Sequence, residues 1–221
     1  GFKYTLFCPE KLHFLWKIGK EYREYLLSLV RETIPVRLII GIMYLIADSG
    51  STKTQWCMVE NGEYEVIYTS GINPVYQSDK EILQMLEQEF RAQEKRVEAV
   101  YFYGAGCAFP EKNEQVRLAL KDFFTAPQVE IASDLLAAAR SLFQHSSGIV
   151  CILGTGSNSC YYDGKDIVGN VPPLGFILGD EGSGAVMGKR LVADVLKGIL
   201  PGKLRESFFK EYRCTYPEII D

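Results

Sequence analysis

Short apolar runs separated by turns of small polar residues dominate the chain from Met43 onward, and their spacing predicts an α/β fold. A buried strand, Tyr44–Ala47, leads through a polar turn into a second strand, Gln55–Val59. An Asn-Gly dipeptide at 61–62 then precedes a third strand, Tyr64–Thr69. Because Asn-Gly between apolar runs is a strong hairpin signal, this stretch predicts hairpin-linked strands in one sheet.

The same arrangement recurs about a hundred residues later. A buried strand, Ile149–Leu153, is followed by the turn Gly154–Ser159 and the strand Cys160–Tyr162. Asp163-Gly164 then turns the chain into a third strand, Asp166–Val168. Two copies of one supersecondary unit predict two related lobes, although two hairpins can also resemble each other by chance.

Helices alternate with strands between the two copies. The apolar stripe Ile82, Leu83, Leu86 and Phe90 predicts a helix over Lys80–Glu98. The further predicted elements are a strand Val97–Tyr103, a helix Glu111–Phe124, a strand Val129–Ala132, a helix Leu135–Phe143 and, after the second hairpin, a helix Glu181–Lys197. A hairpin followed by strand–helix repeats predicts a mixed sheet with flanking helices.

Charge separates the first 42 residues from the rest. Residues 1–42 hold seven basic and four acidic residues, a net charge of +3, whereas the remainder holds 17 and 24, a net charge of −7; together they give the −4 of the whole chain. We expect residues 1–42 to be an extension outside the core fold, one explanation being an over-extended reading of the start site.

Composition narrows the class of protein. The 221 residues are 47% hydrophobic and 24% charged, which is typical of a globular protein. A net charge of −4 gives no electrostatic footprint for nucleic acid. The longest apolar run, Ile34–Ala47, contains Arg37 and is shorter than the roughly 20 residues that a membrane-spanning helix needs. We therefore expect a cytoplasmic protein without nucleic-acid or membrane partners.

The six cysteines are scattered and form no CxxC pair, and the two histidines do not complete a zinc motif with them. This distribution predicts reduced, structural thiols.

Two turns carry residues suited to holding phosphate. The first, Asp48-Ser-Gly-Ser-Thr-Lys-Thr54, follows a strand; its small residues let backbone N–H groups approach an anion, and its carboxylate can hold the Mg²⁺ that accompanies ATP. The second, Gly154-Thr-Gly-Ser157, offers similar donors without a carboxylate. Neither is a P-loop or a dinucleotide fingerprint. Together they predict a clamp on a polyphosphate.

Three polar residues have two interpretations each. Asp134, just before an Ala-rich helix, is either part of the helix N-cap, a role that Ser133 also suits, or a general base at a strand end; position alone favours the cap. Asp180, with Glu181, either caps a helix or binds sugar hydroxyls. Asn73 is either an ordinary turn residue or a contact to substrate.

These motifs, in this order, resemble the N-acetylglucosamine kinase and BadF/BadG-type ATPase group of the sugar kinase–Hsp70–actin superfamily. The resemblance covers roughly Met43 to Lys197 and is carried by Asp48–Thr54, Gly71-Ile-Asn-Pro74, Ser133-Asp134, Gly154–Ser159 and Gly175-Phe-Ile-Leu-Gly-Asp-Glu-Gly-Ser183. It implies a ribonuclease H-like, actin-like ATPase fold, with ATP and Mg²⁺ as cofactors and a sugar as substrate.

The resemblance also implies roles for individual residues. Asp134 becomes the general base that deprotonates the attacking hydroxyl, and Asp48 organises Mg²⁺. The implied phosphate contacts are Asp48, Gly50, Ser51, Thr52, Lys53, Thr54, Gly154, Thr155, Gly156 and Ser157. The implied substrate contacts are Asn73, Gly106, Gly175 and Asp180.

By the same resemblance, residues 43–146 form the N-terminal lobe and 147–221 begin a second lobe that is truncated. Pro172–Gly175 departs from the family pattern, which leaves the sugar open, and a homodimer stays an open option. The leading hypothesis is an N-acetylglucosamine-type hexosamine kinase. One alternative is a BadF/BadG-type ATPase that activates a partner enzyme, for which Cys107 and Cys160 are not convincingly spaced around an iron–sulfur cluster. The other is a non-catalytic nucleotide- or sugar-binding remnant.

Overall fold

The computed structural model describes residues 12–15, 43–50, 52–61, 63–90 and 97–220. Its strands are β1 (Leu12–Leu15), β2 (Met43–Ser49), β3 (Lys53–Glu60), β4 (Glu63–Ser70), β5 (Ala99–Gly104), β6 (Gln128–Ser133), β7 (Gly148–Leu153), β8 (Ser157–Tyr162) and β9 (Ile167–Val171). Its helices are α1 (Asp79–Glu89), α2 (Pro110–Phe123), α3 (Asp134–Phe143), α4 (Gly175–Leu178), α5 (Gly184–Leu196), α6 (Gly202–Tyr212) and α7 (Tyr216–Ile220).

The chain divides into two compact units. The first consists of residues 1–151 and 159–170, and the second of residues 152–158 and 171–221. The lobe boundaries predicted from the sequence stay a prediction.

A five-stranded mixed sheet organises the first unit. Its strand order is β4-β3-β2-β5-β6, with β2 antiparallel to β3 and parallel to β5, and with β5 parallel to β6. The Asn-Gly hairpin is confirmed: Glu60 pairs with Glu63, and Asn61 adopts a left-handed φ of 52°. This hairpin followed by parallel strands with flanking helices confirms the predicted α/β, actin-like ATPase fold.

Strand β2 is buried on both faces of that sheet. Leu45 and Ala47 belong to one core cluster, which includes residues of α1 and α2, and Tyr44 and Ile46 to a second cluster, which includes Ala137 of α3. Alternate residues of a strand point to opposite faces, so helices on both sides of the sheet bury a continuous apolar run.

Helix α1 is shorter than the predicted Lys80–Glu98. A capping box of Ser78 and Glu81 begins it, and it ends at Glu89. Phe90 is extended and packs edge-on against Trp56, with ring centroids 5.6 Å apart. The helical period of the apolar stripe was therefore correct as far as Leu86, but the prediction was wrong at Phe90, Val97 and Glu98, which are not helical; the rest of the predicted helix, 91–96, lies outside the described residues.

The second predicted hairpin is also present. Strands β7, β8 and β9 are consecutive in a four-stranded sheet of order β1-β7-β8-β9. At the β8–β9 turn, the carboxylate of Asp163 accepts hydrogen bonds from the backbone N–H groups of Lys165 and Asp166, each 2.8 Å long. Of the predicted extension over residues 1–42, the described part is Leu12–Leu15, which forms β1 beside β7.

Helices α4–α7 follow in the second unit. The helix predicted over Glu181–Lys197 is α5, which begins after its N-cap Ser183 and ends at Leu196. None of the helices that the structure describes has the length and apolarity needed to cross a membrane.

Candidate functional site

The carboxyl ends of three parallel strands meet at one edge of the five-stranded sheet. Ser49, Gly104 and Ser133 end strands β2, β5 and β6 and lie in register with one another. Asp48 precedes this row by one residue, and Asp134 follows it by one. Because ligands of open α/β sheets bind outside the carboxyl ends of the strands, this edge is the candidate site of the first unit.

Asp48 is held within the sheet, between Gln55 of β3 and Tyr103 of β5, and is only 3% exposed. The chain then turns sharply, since the Gly50 N–H donates to the Lys53 carbonyl over 3.0 Å. Ser51 lies outside the described residues, and Thr52 and Lys53 are exposed. The backbone of Asp48 is therefore fixed by the sheet and its side chain is buried, whereas Thr52 and Lys53 in the turn beyond it are exposed.

Thr54 is fully buried beneath this turn. Its hydroxyl lies 2.6 Å from the Ser49 hydroxyl and donates to the Ser70 carbonyl over 3.1 Å. The Ser49 hydroxyl in turn donates to the Ile72 carbonyl at 3.0 Å and accepts from the Ile72 N–H at 2.9 Å. This network ties β2 and β3 to the segment that carries Asn73, and a phosphate contact by Thr54 stays a prediction.

Two of the predicted substrate residues, Asn73 and Gly106, are in contact. The Asn73 side-chain oxygen accepts the Val75 N–H over 3.0 Å, and the Asn73 N–H donates to the Gln77 side chain over 2.7 Å. Gly106 has a φ of +80°, and a Cβ there would collide with the Asn73 oxygen. The N–H of Ala105 donates to the Ser49 carbonyl over 2.9 Å, which holds this turn against the end of β2.

Asp134 is the first residue of α3 and not its N-cap. Ser133 fills that role, because its hydroxyl accepts the Leu136 N–H over 3.2 Å. One carboxylate oxygen of Asp134 accepts the Leu135 N–H over 2.9 Å. Burial raises the pKa of the Cys107 thiol to about 12, and the negative charge of Asp134 adds to that effect. Asp134 therefore acts electrostatically on the turn that follows β5.

An arginine anchors the helix that carries Asp134. Arg140 donates to the Tyr103 hydroxyl over 2.9 Å and to Glu130 over 3.0 Å. Burial works against the charge of Arg140, but its contacts with Tyr103 and Glu130 outweigh burial and raise its pKa. These bonds join α3 to β5 and β6, the strands that end at the candidate site.

In the second unit, the turn Gly154–Ser157 is fastened to helix α5 and to Asp180. The Gly154 and Thr155 carbonyls accept the N–H groups of Gly184, at 2.8 Å, and Ala185, at 3.2 Å. The Asp180 carboxylate accepts the Ser157 N–H over 3.0 Å. Asp180 was predicted to bind substrate, and here its side chain contacts the predicted phosphate turn.

The remaining predicted substrate residue, Gly175, begins helix α4 with a φ of +71° and open space around its Cβ position. The structure thus groups Asp48, Asn73, Gly106 and Asp134 within the first unit. It groups Gly154, Thr155, Gly156, Ser157 and Asp180 within the second.

Sequence reasoning missed two serines that shape these groups. Ser49 ties β2 to the Asn73 segment, and the fully buried Ser183 caps α5 beneath the second turn. Both serines belong to the runs of small polar residues that carry the predicted motifs. The sequence pattern does not indicate which of the hydroxyl groups in such a run is buried.

The role of Asp48 in holding Mg²⁺ stays a prediction. Within the described ranges, no group of three or more His, Cys, Asp or Glu side chains is placed to hold a metal ion. Mg²⁺ usually keeps several waters and binds through one or two carboxylates together with substrate phosphates, so a single carboxylate such as that of Asp48 is compatible with Mg²⁺ bound together with a nucleotide.

Comparison with known structures gives a clear match. The chain is 49% identical to the "putative N-acetylglucosamine kinase" of Porphyromonas gingivalis, with a TM-score of 0.76 over 80% of this chain and 65% of that chain. It thus spans just under two thirds of that protein. The corresponding "putative N-acetylglucosamine kinase" of Chromobacterium violaceum is 20% identical, with a TM-score of 0.54 over 76% of this chain and 63% of that chain, and this likeness shows the fold alone.

Neither a protein-family model nor a curated protein matches the chain. The likeness to the P. gingivalis structure nevertheless extends over both the fold and the sequence. The resemblance predicted from the motifs is thereby confirmed: the chain is similar in sequence and fold to a protein described as a "putative N-acetylglucosamine kinase".

Proposed function

We propose that this chain carries the substrate-binding and catalytic residues of an ATP-dependent sugar kinase whose substrate is an N-acetylglucosamine-type hexosamine. The observation that supports the proposal most directly is the grouping of Asp48, Asn73, Gly106 and Asp134 around one edge of the five-stranded sheet. The 49% identity to a protein described as such a kinase points to the same activity.

In this proposal Asp134 is the general base. Phosphoryl transfer depends mostly on positioning and charge neutralisation, and one carboxylate orients the attacking hydroxyl and accepts its proton. Asp134 suits that task because it lies at the start of α3, where the anchored helix and its own hydrogen bond to the Leu135 N–H orient the carboxylate. Asn73 and Gly106 form the proposed wall for the sugar beside it.

The nucleotide is assigned to the two polar turns. Asp48 would hold Mg²⁺, and Gly50, Thr52 and Lys53 would contact phosphate oxygens at the turn after β2. The Gly154–Ser157 turn is the second proposed phosphate contact. When bound, Mg²⁺ neutralises charge on the phosphates. The fixed position of Asp48 avoids a reorganisation cost when the nucleotide enters.

A coupled assay of ADP release over a panel of hexoses and hexosamines, each with MgATP, tests the proposal. We expect turnover with an N-acetylated hexosamine above the rate without sugar, and a loss of at least about a hundredfold in kcat for Asp134→Asn. Asp122→Asn, at an exposed carboxylate of α2, is the matched control and should retain the parental rate.

Equal turnover by the Asp134→Asn and Asp122→Asn variants would remove Asp134 as the base. Binding of MgATP by calorimetry separates the nucleotide role from catalysis, because Asp48→Ala should weaken binding in the presence of Mg²⁺, whereas Asp134→Asn should leave it nearly unchanged. MgATP binding unaffected by Asp48→Ala would refute the role of Asp48.

A further inference from the structure

The contact between Asp180 and the Gly154–Ser157 turn carries an inference that rests on the proposed function and refines it. One Asp180 oxygen accepts the Ser157 N–H over 3.0 Å. A Cβ on residue 156 would lie 2.9 Å from that same oxygen and 3.1 Å from the other. The carboxylate therefore packs directly against the backbone of this turn.

The close contact with the Asp180 carboxylate explains why position 156 is a glycine, whereas its backbone conformation does not. Gly156 is absent from the described glycines with positive φ, so an alanine could adopt its backbone angles. The obstacle is the Asp180 carboxylate, because real Cβ atoms essentially never come within 3.0 Å of such a neighbour. Gly156 and Asp180 thus form a matched pair in which a side chain on one excludes the observed position of the other.

The backbone of Asp180 is itself fixed in an unusual conformation. Its φ is +60°, a left-handed value that Asp and Asn tolerate better than most residues. Its N–H donates to the Pro173 carbonyl over 3.1 Å, and its carbonyl accepts the Ser183 N–H over 3.0 Å. Because Ser183 also caps α5, the carboxylate is held by the same short loop that begins the helix.

Helix α5 fastens the other side of the turn. The carbonyls of Gly154 and Thr155 are taken by N–H groups at the start of the helix, and Gly184 lies so close that a Cβ there would be 3.1 Å from the Gly154 carbonyl oxygen. The turn is thus held through its carbonyls by α5 and through the Ser157 N–H by Asp180. Together with the bond from the Gly154 N–H to the Gly156 carbonyl, 2.8 Å long, these contacts constrain the backbone of the turn.

We propose that Asp180 is a positioning residue for the nucleotide: it holds the Gly154–Ser157 turn in the shape that receives the phosphates, in addition to any contact with sugar. A carboxylate–amide hydrogen bond is a strong one, which suits such a role. The negative charge of Asp180 repels phosphate. Asp180 therefore favours nucleotide binding by holding the shape of the turn and not by attracting the phosphates.

Two variants of this chain separate positioning from other roles. Asp180→Gly can adopt the left-handed backbone of Asp180 and removes the carboxylate. We expect the Kd for MgATP, measured by calorimetry, and the KM for ATP each to rise about tenfold. Asp180→Asn keeps an acceptor for the Ser157 N–H without the charge, and should bind MgATP as tightly as the parent or more tightly. The KM for sugar should change less than the KM for ATP in both variants.

The contact between Gly156 and Asp180 can be tested by combining substitutions at both positions. Gly156→Ala should weaken MgATP binding, and adding Asp180→Gly should cost little more, because removing the carboxylate also removes the collision that Gly156→Ala creates. Asp194→Asn, at a carboxylate of α5 that pairs with exposed Arg190, is the control and should bind as the parent does. Additive losses in the double variant, or parental MgATP affinity in Asp180→Gly, would overturn the proposal.

Amide hydrogen exchange in the protein without nucleotide distinguishes failure of this inference from failure of the proposed function. The Ser157 N–H should exchange faster in Asp180→Gly than in the parent and Asp180→Asn. If the parent protein does not bind MgATP, the proposed kinase function and the nucleotide role of Asp180 both fail, whereas the exchange result still decides whether Asp180 holds the turn. Unchanged exchange in Asp180→Gly refutes the positioning role.

Discussion

The side-chain oxygen of Asn73 occupies the space that a Cβ on residue 106 would need. Two chain segments, one after β4 and one after β5, therefore meet at the candidate site, where the Asn73 side chain packs against the backbone of Gly106. The position also requires a left-handed φ of +80°, which glycine adopts at low cost.

Gly106→Ala should consequently weaken sugar binding and destabilise the first unit. The left-handed backbone alone costs about 1–2 kcal/mol with a Cβ present, and Asn73 must also move. We expect a raised KM for sugar with a nearly unchanged KM for ATP, together with a lower urea midpoint. Gly188→Ala, inside α5 with open space around it, is the control and should stabilise its helix by about 0.5–1 kcal/mol.

Ser49→Ala should be more destabilising than its small size suggests. The Ser49 side chain is fully buried, and its hydroxyl lies within hydrogen-bond distance of the Thr54 hydroxyl and of the N–H and carbonyl groups of Ile72. Its removal leaves buried polar groups without partners, at a cost on the order of 3 kcal/mol measured by urea unfolding. Ser141→Ala, which removes one hydroxyl bond to the Ala138 carbonyl within α3, should cost less than about 0.5 kcal/mol. Similar losses in the two variants would contradict the network.

The pKa of the Cys107 thiol should depend on the charge of Asp134. Burial raises the pKa of the Cys107 thiol to about 12 with a contribution from Asp134, whereas burial alone raises that of Cys57 to about 11. Asp134→Asn should lower the Cys107 pKa, followed by the pH dependence of the ¹³Cβ chemical shift of Cys107, because a buried thiol is not accessible to an alkylating reagent. Cys57 is the internal control. An equal change at both thiols, or no change at Cys107, would show that the charge of Asp134 does not act on the turn after β5.

The first unit should lose stability in alkali. In the folded state the thiols of Cys57, Cys107 and Cys160 have pKa values of about 11, 12 and 11, against an ordinary value of 9.0. A raised thiol pKa means that the unfolded chain releases its proton first. The stabilisation is thus complete below about pH 9 and declines as the pH rises toward the folded values. Urea midpoints measured from pH 8 to pH 10 should fall less steeply in the Cys57→Ala, Cys107→Ala, Cys160→Ala triple variant.

Local chemistry in the sequence was sufficient to predict much of the fold. The Asn-Gly turn at 61–62 and the alternation of apolar runs located the β3–β4 hairpin, because turn geometry is set by the residues in the turn itself. The end of α1 was not predictable in this way. Phe90 continues the helical period after Leu86, but its ring is drawn into a cluster with Trp56, Phe123 and Phe124, which are distant in sequence.

In the candidate site too, local sequence patterns predicted some features, whereas contacts between distant residues could not be predicted. Strand ends and small polar turns identified Asp48 and Asp134, since both follow apolar runs directly. The contact between Asp180 and the Ser157 N–H joins residues 23 positions apart, and no local pattern reports it. Similarly, the choice of Ser133 over Asp134 as N-cap depends on which of two adjacent residues first becomes helical, which composition leaves open.

The central place of β2 has a consequence for motion during a reaction cycle. Its apolar residues are enclosed on both faces, and its backbone is bonded to β3 and β5 along its length. Asp48 therefore lies on a strand that is packed on both faces and bonded along both edges, and we expect its backbone to stay in place. Any rearrangement that admits or releases a ligand must come from the turns around it, so crystal forms trapped at different stages should superimpose closely on this strand.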